Sequence, residues 1–138
     1  MAYWLLKSEP DEYGFADLER DRTTVWDGVR NNQAINYIRT MQPGDLALIY
    51  HTGKERQIVG TATITTAAYP DPAAPDPATA PPVVDVHVGP RLATPITLAT
   101  IKADPFFADF ALVRQGRLSV VPVSAAQWAY LTTLAESA

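Results

Sequence analysis

Six of the chain's twelve prolines fall within residues 70–82, PDPAAPDPATAPP. Proline fixes φ and carries no amide hydrogen, so this run cannot be the interior of a helix or a central strand. It is expected to be an extended surface loop, with regular structure built from short elements on either side. The segment C-terminal to it is too short to build a core of its own, so the run is not a linker between domains. A chain of 138 residues, 47% hydrophobic and 19% charged, fits one globular domain over 1–138. No apolar run reaches the roughly 18 to 20 residues of a membrane helix. The N-terminal stretch MAYWLLKSEPDEY lacks a basic start, and Lys7 cuts its apolar run, so no signal peptide is expected. With no cysteine, disulfides and thiolate chemistry are excluded, and a cytosolic protein is expected.

The apolar pattern changes period along the chain. Tyr3 to Leu6 is apolar without alternation, as in a strand buried on both faces. A short helix is expected over Phe15 to Arg20 with Gly14 as its N-cap, then a β-branched and aromatic strand over Thr23 to Trp26. Ala34, Ile38 and Met41 recur at helical spacing, with Tyr37 beside them, until Pro43-Gly44 turns the chain. Asp45 to His51 alternates, and QIVGTATI (57–64) makes a second strand, with Gly60 marking a bulge or a close backbone approach. VVDVHV (83–88) alternates again, with Val84, Val86 and Val88 inward. A helical or turn-rich patch comes next over Thr97 to Ala108, then a last strand over Arg117 to Val123. Ser124-x-x-Gln127 reads as a capping box opening a helix striped by Trp128, Leu131 and Leu134. Five or six short strands with interspersed helices point to a small mixed α+β barrel.

The sequence offers little to catalysis. His51 and His87 lie far apart and there is no cysteine, so no metal site is expected, and no cofactor motif appears. Polar residues gather in two places beside apolar strands. One is Lys7-Ser8-Glu9-Pro10 and the other Trp26-Asp27-Gly28-Val29-Arg30-Asn31. An indole to stack, a permissive glycine, an arginine and an amide within six residues suit a flat polar ligand. The plainer reading makes Trp26 core, Asn31 an N-cap and Arg30 a solvated charge. The net charge of −4 argues against gripping long duplexes by phosphate contact, so nucleic acid would be met through a local pocket, a few arginines or a partner subunit.

The segments KSEPDEY (7–13), WDGVRN with QA (26–34), GDLALIYHTG (44–53), QIVGTATI (57–64), AYPDP (68–72) and RLSVVPVS (117–124) resemble, in order, the EVE domain family. The resemblance covers nearly the whole chain. It implies a PUA-like mixed β pseudobarrel of five or six strands with peripheral helices, and a pocket for a modified base, modified cytosine being the most plausible. On its motifs the ligand-binding positions are Lys7, Ser8, Glu9 and Pro10, then Trp26, Gly28, Val29, Arg30 and Asn31. Tyr50 and His51 at a strand end, and Arg117, Leu118 and Ser119, complete them. The implied partner is DNA or RNA carrying a modified base, without catalysis, cofactor, metal or membrane. Selectivity would come from an apolar niche walled by Val29 and Leu118. Relatives with an ASCH-type fold suggest an alternative, a modified-nucleoside hydrolase using Lys7 and Glu9. An interaction domain with a vestigial pocket is the other. The chain departs from the family pattern RNYQARN at Asn32 and Ile35, which removes an aromatic and a charge beside the helix start. The proline run also replaces a longer family segment that carries an aromatic residue.

Overall fold

In the computed structural model, which describes residues 1–136, β1 (Tyr3–Ser8) lies inside the sheet. Trp4, Leu5 and Leu6 are all buried, as a strand covered on both faces requires. β1 runs parallel to β3 (Leu46–His51) and antiparallel to β7 (Val120–Val123). Beyond β3 come β4 (Gln57–Ile64), β6 (Pro82–Thr97) and β2 (Thr23–Trp26), and β6 also pairs with β5 (Tyr69–Pro70). The helices are α1 (Pro10–Tyr13), α2 (Phe15–Asp21), α3 (Asn32–Thr40), α4 (Leu98–Ala103), α5 (Ala111–Arg114) and α6 (Ala125–Glu136), with a 3-10 turn at Pro105–Phe107.

The α+β class and the peripheral helices stand, but the expected pseudobarrel does not. The sheet has seven strands, ordered β2-β6-β4-β3-β1-β7 with β5 beside β6, and it is open. β2 and β7 are its two ends and do not pair with each other. Each is only four residues long. α3 packs against both β7 and β6 and buries Ala34 and Ile38, so a helix covers the core where strand closure would have been needed.

Three smaller differences have local causes. The strand expected at 83–88 continues to Thr97, because the Gly89-Pro90 interruption is absorbed as a bulge. Gly60 pairs with Arg91 while Ala62 pairs with Val88, and Thr61 Oγ1 donates to the Pro90 carbonyl at 3.0 Å. The proline run is a series of turns closed by the Tyr69–Val83 and Pro70–Pro82 pairs, with Asp71 and Asp76 each accepting from a backbone amide two residues on. Only Val120 onward of the last expected strand joins the sheet. The capping box forms as read. Gln127 N donates to Ser124 Oγ at 3.0 Å, and Ser124 N to Gln127 Oε1 at 2.9 Å.

Two buried polar residues tie the elements together. Asp45 accepts from Ala2 N, Gln42 N and Trp4 Nε1 at 3.0 to 3.1 Å, fixing the chain start and the turn before β3. Burial pushes its carboxyl up, but these hydrogen bonds and the N-terminal charge outweigh it and hold the group below its ordinary value. His51, at the end of β3, accepts from Phe15 N at 3.0 Å through Nε2, so its other nitrogen carries the proton and donates to Glu55 Oε1 at 2.9 Å. That hydrogen bond lowers the Glu55 carboxyl.

Phe15 is pinned twice. Its amide is held by His51, and its fully buried ring lies on Gly60 of β4, where a Cβ would fall 2.3 Å from ring carbons. The close approach read from Gly60 is therefore to the first residue of α2. The Arg91 guanidinium, paired with Glu19, sits over the same ring at 5.0 Å. Gly60→Ala must displace the ring and is expected to cost about 1–3 kcal/mol by overpacking. Gly116→Ala, where the added methyl meets nothing within 4 Å, should change stability by less than about 0.5 kcal/mol. Urea denaturation of the two variants makes the comparison.

Candidate functional site

Because β1 lies between β3 and β7, three sequence-distant motifs arrive at one end of the sheet. Lys7 and Ser8 are in register with Tyr50 and His51, and Lys7 N donates to the Ser119 carbonyl at 3.0 Å. β2, the far edge, brings Trp26 to Val29 to the same place. Between them opens a cleft of about 460 Å³. A glycine is needed where the chain leaves β2, since Gly28 has φ +74°.

Of the residues singled out from sequence, Lys7, Ser8 and Glu9 line this cleft on one side. Trp26, Gly28 and Val29 line it on another, with Arg117 and Ser119 at its rim. The remaining six do not. Pro10 opens α1, and Arg30 is exposed. Asn31 accepts from Ala34 N at 3.0 Å and caps α3, so the plainer reading of that residue holds. Leu118 is core at 3% exposure, which removes it from any niche at the surface. His51 spends both ring nitrogens on Phe15 and Glu55, and Tyr50 faces a neighbouring cavity. Trp26 satisfies both readings. It is core at 7% exposure, yet part of its ring borders the cleft.

The sequence reading missed Glu12 and Tyr13 of α1, Thr24 and Val25 of β2, Asp27, and Thr52 and Gly116. Glu12 and Tyr13 had a signal, since they come directly after KSEP. Thr52 and Gly116 had none, being joined to the site only by strand pairing.

Most polar groups here are already committed. Lys7 Nζ donates to the Gly116 carbonyl at 2.8 Å and stands 5.7 Å from the Tyr50 ring, and burial pulls its ammonium below the ordinary lysine range. Ser8 Oγ donates to the Tyr13 carbonyl. Glu9 Oε1 accepts from Thr52 Oγ1 at 2.9 Å. Among the described residues Lys7 and Glu9 make no ion pair with each other, and each is held by a different neighbour. Glu12 and Asp27 offer carboxylate acceptors, Arg117 a charged donor, and Thr24 and Ser119 hydroxyls. Val25 and Val29 supply apolar surface, Val25 being 36% exposed. This is a recognition surface, with acceptors, donors and an apolar wall around one opening. Among the described residues no group of three or more His, Asp or Glu could hold a metal ion, and no helix is long and apolar enough to cross a membrane.

A family model described as the EVE domain matches residues 2–134. Among solved structures, a protein of Rhodopseudomonas palustris is 39% identical with a TM-score of 0.92, covering 99% of this chain and 94% of that one. The human THYN1 protein, solved in complex with 5-methylcytosine-containing DNA, is 30% identical with a TM-score of 0.85, covering 99% of this chain and 98% of that one. Among curated proteins, thymocyte nuclear protein 1 of Rattus norvegicus is 43% identical over 81 residues, which is 50% of this chain and 36% of that protein. The chain thus spans about a third of the length of the curated relatives it matches first. The expectation of a cytosolic protein is overturned by these relatives, all five of which are named as nuclear proteins. The matched model and the near full-length likeness together show that the chain belongs to the EVE domain family.

Proposed function

We propose that the cleft bordered by Trp26 receives a modified base of a nucleic acid, a modified cytosine above all, and that the protein binds it without converting it. The observation that carries this is the cleft itself. It opens at the unclosed end of the sheet, has the volume of a small-ligand pocket, and joins an aromatic border to acceptors, donors and an apolar wall. The human relative solved on 5-methylcytosine-containing DNA supports the same reading.

The chemistry of cytosine fits the groups present. Its exocyclic amine is a donor that carboxylates accept, and Glu12 and Asp27 are placed to do so. Its ring nitrogen and carbonyl are acceptors for Arg117 or the Ser119 hydroxyl. A 5-methyl group would lie against Val25 and Val29, the latter being the part of the expected niche that reaches the cleft. The base must leave its stack to enter, which is easiest from a single strand or a weakened pair. Binding without turnover is favoured because Lys7 and Glu9 are each tied to another group and form no acid–base pair.

Affinity for short strands carrying 5-methylcytosine or plain cytosine, measured at low salt, tests the reading. One buried methyl is worth about 0.8 kcal/mol, so a preference of roughly 4-fold for the methylated strand is expected. Trp26→Ala should weaken binding by about 1–3 kcal/mol, the value of one base stacked on an aromatic ring. Because Trp26 is also core, Trp26→Phe is the companion variant, keeping an aromatic border while the fold is retained. Equal affinity for both strands, or a Trp26→Ala protein that folds and binds like wild type, would sink the proposal.

A further inference from the structure

Beside the base cleft lies a second cavity of about 250 Å³, which shares Lys7, Thr52 and Gly116 with it. Its chemistry is different. Three cations, Lys7, Arg56 and Lys102, border it together with Tyr50, and no carboxylate does. In a chain of net charge −4, that is a local reversal of sign. Neither Arg56 nor Lys102 is engaged in an ion pair among the described residues, although carboxylates satisfy Arg20, Arg91 and Arg114 elsewhere. Tyr50 is buried to 3% exposure, yet its hydroxyl has no hydrogen-bond partner among the described residues.

The backbone holds these groups in place. Arg56 sits at φ +45°, an uncommon conformation for a residue with a side chain, and its carbonyl accepts from Leu98 N at 2.8 Å. That bond fixes the start of α4, which carries Lys102, beside the loop that carries Arg56. Tyr50 and Lys7 are cross-strand partners in β3 and β1. The four groups thus come from four separate parts of the chain and surround one small cavity.

We infer that this cavity holds a phosphate of the nucleic-acid backbone, the one adjoining the base in the neighbouring cleft, through Lys7, Arg56, Lys102 and the Tyr50 hydroxyl. The inference rests on the base-binding reading for the identity of the strand. The anion preference stands on the charge and geometry alone. Lys7 lies at the junction of the two cavities, where a nucleotide entering the cleft would carry its phosphate past it. Such contacts position a strand and make its binding depend on salt, while the base cleft does the discriminating.

The double variant R56Q/K102Q removes two exposed charges without disturbing the core. Wild type and variant are titrated with a 5-methylcytosine-containing single strand over a salt series. In parallel they are titrated with inorganic phosphate at constant ionic strength, monitored by backbone amide chemical shifts. The expected result is a dependence of log K on log salt that is shallower in the variant by roughly 1 to 2, for two lost phosphate contacts. Phosphate should shift the amides of Gly53, Arg56, Lys102 and Gly116 in wild type and leave them in place in the variant. An unchanged salt slope with no phosphate-dependent shifts at those amides overturns the inference and leaves the base reading intact. Phosphate shifts in wild type with no binding of any strand would do the reverse, keeping an anion site for free phosphate or a mononucleotide and removing the base reading.

Discussion

The contact of Phe15 with Gly60 is the constraint on which the site depends. A ring seated where no Cβ is tolerated, with its own amide held by a buried histidine, locks α1 and α2 onto β3 and β4. The consequence reaches the cleft through only a few residues. α1 ends at Tyr13, just before Gly14 and Phe15, so Glu12 and Tyr13 stand wherever Phe15 is pinned. His51 does this from the strand end whose next residue, Thr52, holds Glu9. One side of the opening is therefore built from a core contact and two buried hydrogen bonds, with little freedom to drift. Core packing is stiff and transmits such constraints well.

The other side is set by the strand pairing that the sheet lacks. β2 and β7 end the sheet without meeting, and α3 covers the core between them. An open end next to a rigid one gives a cleft with fixed walls and an accessible mouth, as a ligand that has to swing in from a strand requires. The acidic balance of the chain is compatible with this, because the cations that matter are gathered around the second cavity instead of spread over a face.

Local elements were legible where a local cause existed. The Ser124–Gln127 capping box, the Asn31 cap, the Pro43-Gly44 turn and the unalternating first strand all arise from residues next to one another. Closure was not legible, since pairing between the first and last strands of a sheet leaves no trace in either strand's own pattern. The continuation of β6 through Gly89-Pro90 was hidden for a related reason. Those residues end an ordinary strand, and only the bulge opposite Gly60 lets this one go on. At the site, residue type pointed rightly to Lys7, Trp26 and Ser119. It misplaced Asn31 and Leu118, whose roles as cap and core are set by burial and hydrogen bonding. Glu55 and Phe15 as the partners of His51 were out of reach of any motif, since one is a loop carboxylate and the other contributes a backbone amide.

The most direct test of the central claim is a map of where a base lands. Isotope-labelled protein would be titrated with a single strand containing one 5-methylcytosine, and contacts from the 5-methyl protons to the protein read by intermolecular NOEs. The account predicts NOEs from that methyl to Val25 and Val29, with the largest amide shifts in residues 24–29 and around Ser119. NOEs confined to the proline turns at 70–82 or to α6, with residues 24–29 unmoved, would contradict it and place recognition on another face of the molecule.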